Sequence, residues 1–243
     1  MIRIVILSLI LLAAAQSALA ATLRVPQDHP SIQAAIDASA PGDIILVAPD
    51  RYSEHIGLKP GITLRSDGDD AKGTDGLKRA EATVIDGGQE AKGVVMAEDS
   101  TLDGFTITNV GVYDAALWKK HFESKGEELG DDEGSVQAEG TMPAISIRGV
   151  NCTVTNCIVH HNGDVGIGIL GKENTKTAPL IANNFVFRNM GGGIGVAEGA
   201  EPIIRGNTCK ENLRAGIGCR NANPIITDNV CFHNIRAGIG CRE

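Results

Sequence analysis

Residues 212–219 read Asn212-Leu-Arg-Ala-Gly-Ile-Gly-Cys219, and residues 234–241 read Asn234-Ile-Arg-Ala-Gly-Ile-Gly-Cys241. Upstream, Asn189-Met-Gly-Gly-Gly-Ile-Gly-Val196 and Asn162-Gly-Asp-Val-Gly-Ile-Gly-Ile169 align on the same asparagine, at steps of 27, 23 and 22 residues along the series. Five positions before each anchor stand Cys157, Asn184, Asn207 and Asn229, and ten positions before the last three stand Pro179, Pro202 and Pro224. A repeat of this length decides architecture before local propensity does.

Units of about 22 residues, built of short β-prone runs separated by Asn or Gly, lack the 3.6-residue periodicity of a helical repeat. In strands, residues two apart share a face. Ile204, Cys209, Ile217 and Cys219 should therefore point one way, as should Ile226, Cys231, Ile239 and Cys241 in the next unit. Three short faces per unit close into one turn of a solenoid, and turns stacked about 4.8 Å apart put Ile on Ile, Cys on Cys and Asn on Asn. Aliphatic ladders would fill the bore and asparagine ladders would bond at the corners. The 3% aromatic content fits a bore too narrow for rings. The expected fold class is all-β, a parallel β-helix solenoid.

These repeats resemble right-handed parallel β-helix proteins of the pectate-lyase-like fold, with tandem repeats of the NosD and carbohydrate-binding type. The likeness extends to the first hundred residues after the leader. Val25-Pro-Gln-Asp-His-Pro-Ser-Ile-Gln-Ala-Ala-Ile-Asp-Ala38 looks like the short helix that plugs the first coil in that family. Ser31 can cap it, Ile32, Ala35 and Ile36 share one face, and Pro41-Gly42-Asp43 ends it. Strands are expected at 44–48, 62–65, 83–86, 93–97 and 101–109. The resemblance covers residues 22–243 apart from one insertion. It implies a fold and leaves the chemistry open.

Residues 1–20 carry Arg3, an apolar run from Ile4 to Ala15 and the small-x-small site Ala18-Leu19-Ala20, the pattern of a cleaved signal peptide. That run is shorter than the roughly 20 residues needed to span a bilayer. The expectation is a secreted or periplasmic protein with residues 21–243 as one β-helix domain. The formal net charge is −8. No overall positive field gathers nucleic acid or an anionic membrane surface, so both are disfavoured as partners. Residues 113–140 interrupt the pattern and are expected to project as an acidic loop. They hold Trp118, a candidate sugar platform, and Asp131 and Asp132, candidate ligands for Ca²⁺. The sequence stops just after a repeat, and an uncovered last coil exposes its strand ladder, so the expectation is either that the natural chain continues past Glu243 or that the open coil pairs with another chain.

Candidate chemistry sits on the repeats. Arg214 stacks on Arg236 and Arg220 on Arg242, ladders suited to bidentate capture of carboxylates or sulfates. Asp164, Glu173 and Glu198 fall in consecutive repeats and are the candidate acid and base of a glycosidic cleavage. His160 and His161 are candidate metal ligands. Cys209 with Cys231, and Cys219 with Cys241, should occupy facing rungs at a backbone spacing that permits disulfides, although small core thiols explain them equally. The leading reading is polysaccharide binding along a lateral face. If the protein is an enzyme, it is a polysaccharide lyase or glycoside hydrolase; the aspartate, arginine and His-Gly sets that family members use are absent here. The alternatives are a NosD-like periplasmic metal-site assembly factor and a structural or adhesive surface protein.

Overall fold

In the computed structural model of the protein, residues 20–90, 93–127 and 143–243 are described. The expected leader, except for Ala20, and the acidic positions Asp131 and Asp132 lie outside them. The chain forms a right-handed parallel β-solenoid of three sheets. Among the described residues, sheet 1 has eight strands, from Thr22–Val25 to Ile225–Thr227; sheet 2 has seven, from Arg51–Tyr52 to Val230–Phe232; sheet 3 has seven, from Ile56–Gly57 to Ile239–Arg242. Every neighbouring pair is parallel, and the repeat alignment is the register. Ile217 pairs with Ile239, Cys219 with Cys241, Cys209 with Cys231 and Arg220 with Arg242.

The bore is aliphatic. Ile204, Cys209 and Ile217 are fully buried and Cys219 nearly so, and the same columns run up through Ile181, Val186 and Val196 to Val154, Val159 and Ile169. Helix α1 (Ile32–Ala38) closes the N-terminal end of this bore with Ile32, Ala35 and Ile36. The Ser31 hydroxyl accepts from the Ala34 amide at 3.1 Å, and the Glu54 carboxylate takes the Ile32 and Gln33 amides at 3.0 and 2.9 Å. Those amides have no partner within the helix, and an anion there also meets the positive end of the helix dipole.

Strands appear where the early coils were expected, at Ile44–Val47, Thr63–Ser66, Val84–Asp86, Val94–Val95, Thr101–Asp103 and Thr106–Thr108. The two-residue strands Arg51–Tyr52 and Ile56–Gly57, and helix α2 (Lys78–Ala82), give too short a pattern to read from sequence.

Two vertical asparagine ladders hold the corners. Asn162, Asn189, Asn212 and Asn234 form one, and Asn184, Asn207 and Asn229 the other. Each interior member uses its whole amide. Asn189 Nδ2 donates to Val159 O at 3.2 Å and to Asn212 Oδ1 at 3.0 Å, while its Oδ1 accepts from the Asn162 backbone amide at 3.3 Å and Asn162 Nδ2 at 2.9 Å. The Cys157 amide donates to Asn184 Oδ1 at 2.9 Å at the head of the second ladder. Asn162, Asn189, Asn207 and Asn212 are fully buried, so each amide must find its partners inside the stack.

The insertion differs from the projecting loop expected of it. Its first part is helix α3 (Ala115–Glu123), capped by Asp114, whose Oδ1 accepts from the Ala116 and Leu117 amides at 2.9 Å each. Trp118 and Phe122, one helical turn apart, stack at 4.7 Å, and Trp118 is 8% exposed. Burial of that indole draws the helix back onto the coils.

Replacing Asn189 with Ala strands the Val159 carbonyl and two donors of Asn162 in the interior, which predicts a loss of roughly 3 kcal/mol. Asn229→Ala, at a half-exposed ladder end, should cost clearly less. Urea or thermal unfolding of the two variants checks the ranking.

Candidate functional site

In sheet 3 the strand Ile217–Arg220 sends Ile217 and Cys219 inward and Gly218 and Arg220 outward, and Ile239–Arg242 repeats the pattern. The outward column is therefore Gly168, Gly195, Gly218 and Gly240. A Cβ placed on Gly218 or Gly240 would have its nearest contact at 3.6 Å to Ala215 Cβ or 3.5 Å to Ala237 Cβ, and neither residue has a left-handed φ. Neither crowding nor backbone conformation requires glycine there. Gly168 and Gly195 are buried, and Gly218 and Gly240 leave a half-exposed strip of bare backbone on the outer surface.

That strip is the floor of a groove of about 240 Å³. Arg220 and Arg242 line it from the last residues of their strands, and Arg214 and Arg236 from the turns that precede those strands. The structure thus brings all four arginines into one concavity. Their coils are tied by the ladder pairing of Arg220 with Arg242 and by an Arg236 amide to Arg214 carbonyl bond of 3.4 Å. Pro143 lies over Gly168, where an added Cβ would fall 2.3 Å from its Cγ, and so covers the strip at one end. Asp164 lines the groove as well. Guanidinium groups on both banks of a flat floor, repeating at the coil spacing of about 4.8 Å, suit a chain that carries an anion at each repeat.

Asp164 stands apart from the other two candidate carboxylates. Glu173 and Glu198 share a different, broad depression with Arg148 and Lys172. Asp164 precedes the strand Ile167–Leu170 and Glu173 follows it, so a full strand length lies between them. Asp164 therefore does not complete an acid-base pair with either glutamate.

Trp118 is no open sugar platform. Its indole lies under the Arg188 guanidinium at 5.2 Å and donates from Nε1 to the Glu211 carbonyl at 3.3 Å, while Arg188 Nε pairs with Glu211 Oε2 at 2.7 Å. It anchors α3 instead.

His160 and His161 meet Nδ1 to Nδ1 at 2.6 Å, so one ring donates the proton the other accepts. Burial, then the neighbouring His161, pushes His160 down to about 4; burial also lowers His161. Among the described residues no three His, Cys, Asp or Glu side chains converge as a metal would need. In the folded state His160 takes its proton only near pH 4, whereas an unfolded histidine takes it near 6.5. The unfolded chain therefore binds more protons between those values, and stability falls as the pH drops from about 6.5 to about 4. His160→Phe, which keeps the ring packed on Phe187, should flatten that part of a melting-temperature profile against pH.

All six cysteines are free thiols. Burial pushes Cys152 and Cys157 up to about 12, and burial followed by Cys241 does the same to Cys219. Cys209 is held up by its hydrogen bond to Cys231, which is eased down by the same bond. In fully reduced protein at pH 8, exposed Cys241 should alkylate first and Cys231 next, with Cys152 and Cys157 reacting only on unfolding. Peptide mass spectrometry of an iodoacetamide time course reads that order.

A family model described as "Right handed beta helix region" matches residues 92–243. The chain belongs to the right-handed β-helix family. No curated protein matches this β-helix chain. Solved structures similar to it include a pectin methylesterase from Yersinia enterocolitica, at 12% identity and a TM-score of 0.37, with 79% of this chain and 56% of the other covered. A pectin methylesterase variant in complex with a hexasaccharide matches at 11% identity and a TM-score of 0.39, over 85% and 66% of the two chains. Pectate lyase Pel9A matches at 14% identity and a TM-score of 0.32, over 93% and 76%. The chain thus spans little more than half the length of the first of these. Likenesses of this size carry nothing about the chemistry of the present chain.

Sequence reasoning missed Phe185 and Phe187. Val186 lies on the inward rung of Cys209, so the Phe-Val-Phe alternation itself puts both rings outside. Their centroids stand 4.8 Å apart, and His160 continues the row at 4.9 Å from Phe187.

Proposed function

We propose that this β-helix protein is exported and binds an anionic polysaccharide in the groove of sheet 3, with the chain laid along the solenoid axis. The observation that carries the reading is the convergence of Arg214, Arg236, Arg220 and Arg242 on one glycine-floored groove. Each guanidinium can hold a carboxylate or sulfate through two parallel hydrogen bonds. The flat backbone between the banks admits sugar rings without a side chain in the way. A chain with net charge −8 repels a polyanion at long range, so the arginine strip has to supply the attraction locally, and it selects for regularly spaced anions. Export accords with a substrate class that lies outside the cytoplasm, and it is supported by the leader pattern of residues 1–20. No helix among the described residues is long and apolar enough to cross a membrane. Among the described residues the groove offers four arginines and a single carboxylate, Asp164, which favours a binding function.

Isothermal titration with polygalacturonate at low salt tests it. The Arg214→Ala/Arg236→Ala double variant should bind at least about tenfold more weakly, since two charge-assisted contacts are lost. Gly218→Leu should abolish binding while leaving the melting temperature nearly unchanged, because the floor has room for a Cβ and the rest of the side chain would stand in the groove. Equal affinity of wild type and both variants would overturn the reading.

A further inference from the structure

A second concavity lies on the other side of the molecule, between sheets 1 and 2. After the strand Thr63–Ser66 the chain leaves the stack as a finger, residues 67–77, before helix α2. The finger is held rigidly at its base. The Arg79 side chain, 1% exposed, pairs through Nε with Asp70 at 2.7 Å and through a terminal nitrogen with Asp103 at 2.6 Å; its other nitrogen donates to Ser66 Oγ at 3.0 Å and Asp103 O at 2.9 Å. At the tip, the Gly73 amide donates to Gly76 O at 2.7 Å and the Asp75 amide to Glu81 Oε1 at 2.6 Å. The finger reaches sheet 2, where a Cβ on Gly76 would stand 3.0 Å from Ile158.

Between finger and coils is a cavity of about 390 Å³. Thr74 and Asp75 line it from the finger, Asn156 and Asn183 from the coil corners, and Phe185 and Thr208 from sheet 2. The corner below Asn183 is Gly206, at a φ of +65°, where a Cβ would fall 2.6 Å from Asn183 Oδ1. Glycine at that corner keeps the asparagine in place and the cavity open.

We infer that this cavity is a binding site for one uncharged pyranose ring of a glycan. Its volume is within the usual range for small-ligand sites. Phe185 is half-buried and carries the Lys210 ammonium 5.3 Å from its ring centre, and it offers its remaining apolar surface to the C–H face of a sugar. Asn183 offers a donor and an acceptor, and Asn156, whose Nδ2 already donates to Asp103 Oδ1 at 2.7 Å, adds its carbonyl oxygen and a second amide hydrogen, which matches hydroxyl groups that both donate and accept. Lys72 and Asp75, both lining the cavity, offset each other in charge. The arginine groove lacks that balance, so the two sites select opposite ligands. Phe187 and His160 extend the aromatic row away from Phe185 along sheet 2, a path for the next sugar of a chain. This inference stands independently of the groove, because it shares no residue with it.

The probes are cellohexaose, mannohexaose and xylohexaose, titrated separately into the purified protein by calorimetry. At least one should bind with a dissociation constant below about 10 mM. Phe185→Ala should weaken that binding about tenfold through loss of the stacking surface, and Asn183→Ala, at an exposed corner, several-fold. The Arg214→Ala/Arg236→Ala variant should bind the neutral sugar as wild type does, whatever its affinity for polygalacturonate. Absence of binding by all three probes, or unchanged affinity in Asn183→Ala together with a folded Phe185→Ala, overturns the inference. If Phe185→Ala fails to fold, the loss in Asn183→Ala, or its absence, decides alone.

Discussion

The structure depends on keeping every coil directly above the one before, so that each buried amide finds its partner one rung away. Hydrophobic burial drives the bore together but is indifferent to register along it, since Ile, Val and Cys pack against one another in several ways. The asparagine ladders are not indifferent. A coil that slipped by one residue would leave Asn189 or Asn207 buried with donors and acceptors unmatched, at a cost of the order of 1–3 kcal/mol for each orphaned group. The ladders therefore convert a non-directional collapse into one fixed alignment. Everything on the outer surface inherits that alignment.

The two proposed sites show what register accomplishes. A column of outward positions occupied by glycine becomes a groove, and the same column occupied by arginine becomes a ladder of charge, because the pairing repeats at a constant rise. Gly218 with Gly240 and Arg220 with Arg242 are each a single choice copied into the next coil. The cavity near Phe185 arises differently. It needs an excursion from the stack, and the buried Arg79 supplies the fixed point from which residues 67–77 can stand over the coils. A buried charge is tolerable there because Asp70, Asp103 and Ser66 occupy its donors.

Much of this was legible in the sequence, for a definite reason. Where the chain repeats, spatial neighbours are 22 to 27 residues apart, and the alignment of repeats is the contact map. Hence the inward column of Ile204, Cys209, Ile217 and Cys219, both asparagine ladders, the stacked arginines and the helix capped by Ser31 could all be written down in advance. Where the chain departs from the repeat, that translation fails. Trp118 reads as an exposed platform in a polar insertion, yet its contacts are with Arg188 and Glu211, 70 and 93 residues further along, and no local pattern announces them. The short strand Arg51–Tyr52 and the finger before Arg79 were hidden for the same reason.

The arginine pairs also show where repeat reading stops short of function. Stacking of Arg214 on Arg236 follows from a 22-residue step, but whether that ladder and the one formed by Arg220 and Arg242 face a common ligand depends on the turn between Arg214 and Ile217. In the structure that turn, Ala215-Gly216, sets Arg214 on one bank and leaves four strand residues to carry the chain to Arg220 on the other. The width of the groove is thus the width of one short strand, with a glycine at its outward middle position. A longer strand, or a side chain at 218, would have produced two separate charged ridges from the same arginines. Binding geometry here is a consequence of strand length as much as of residue type.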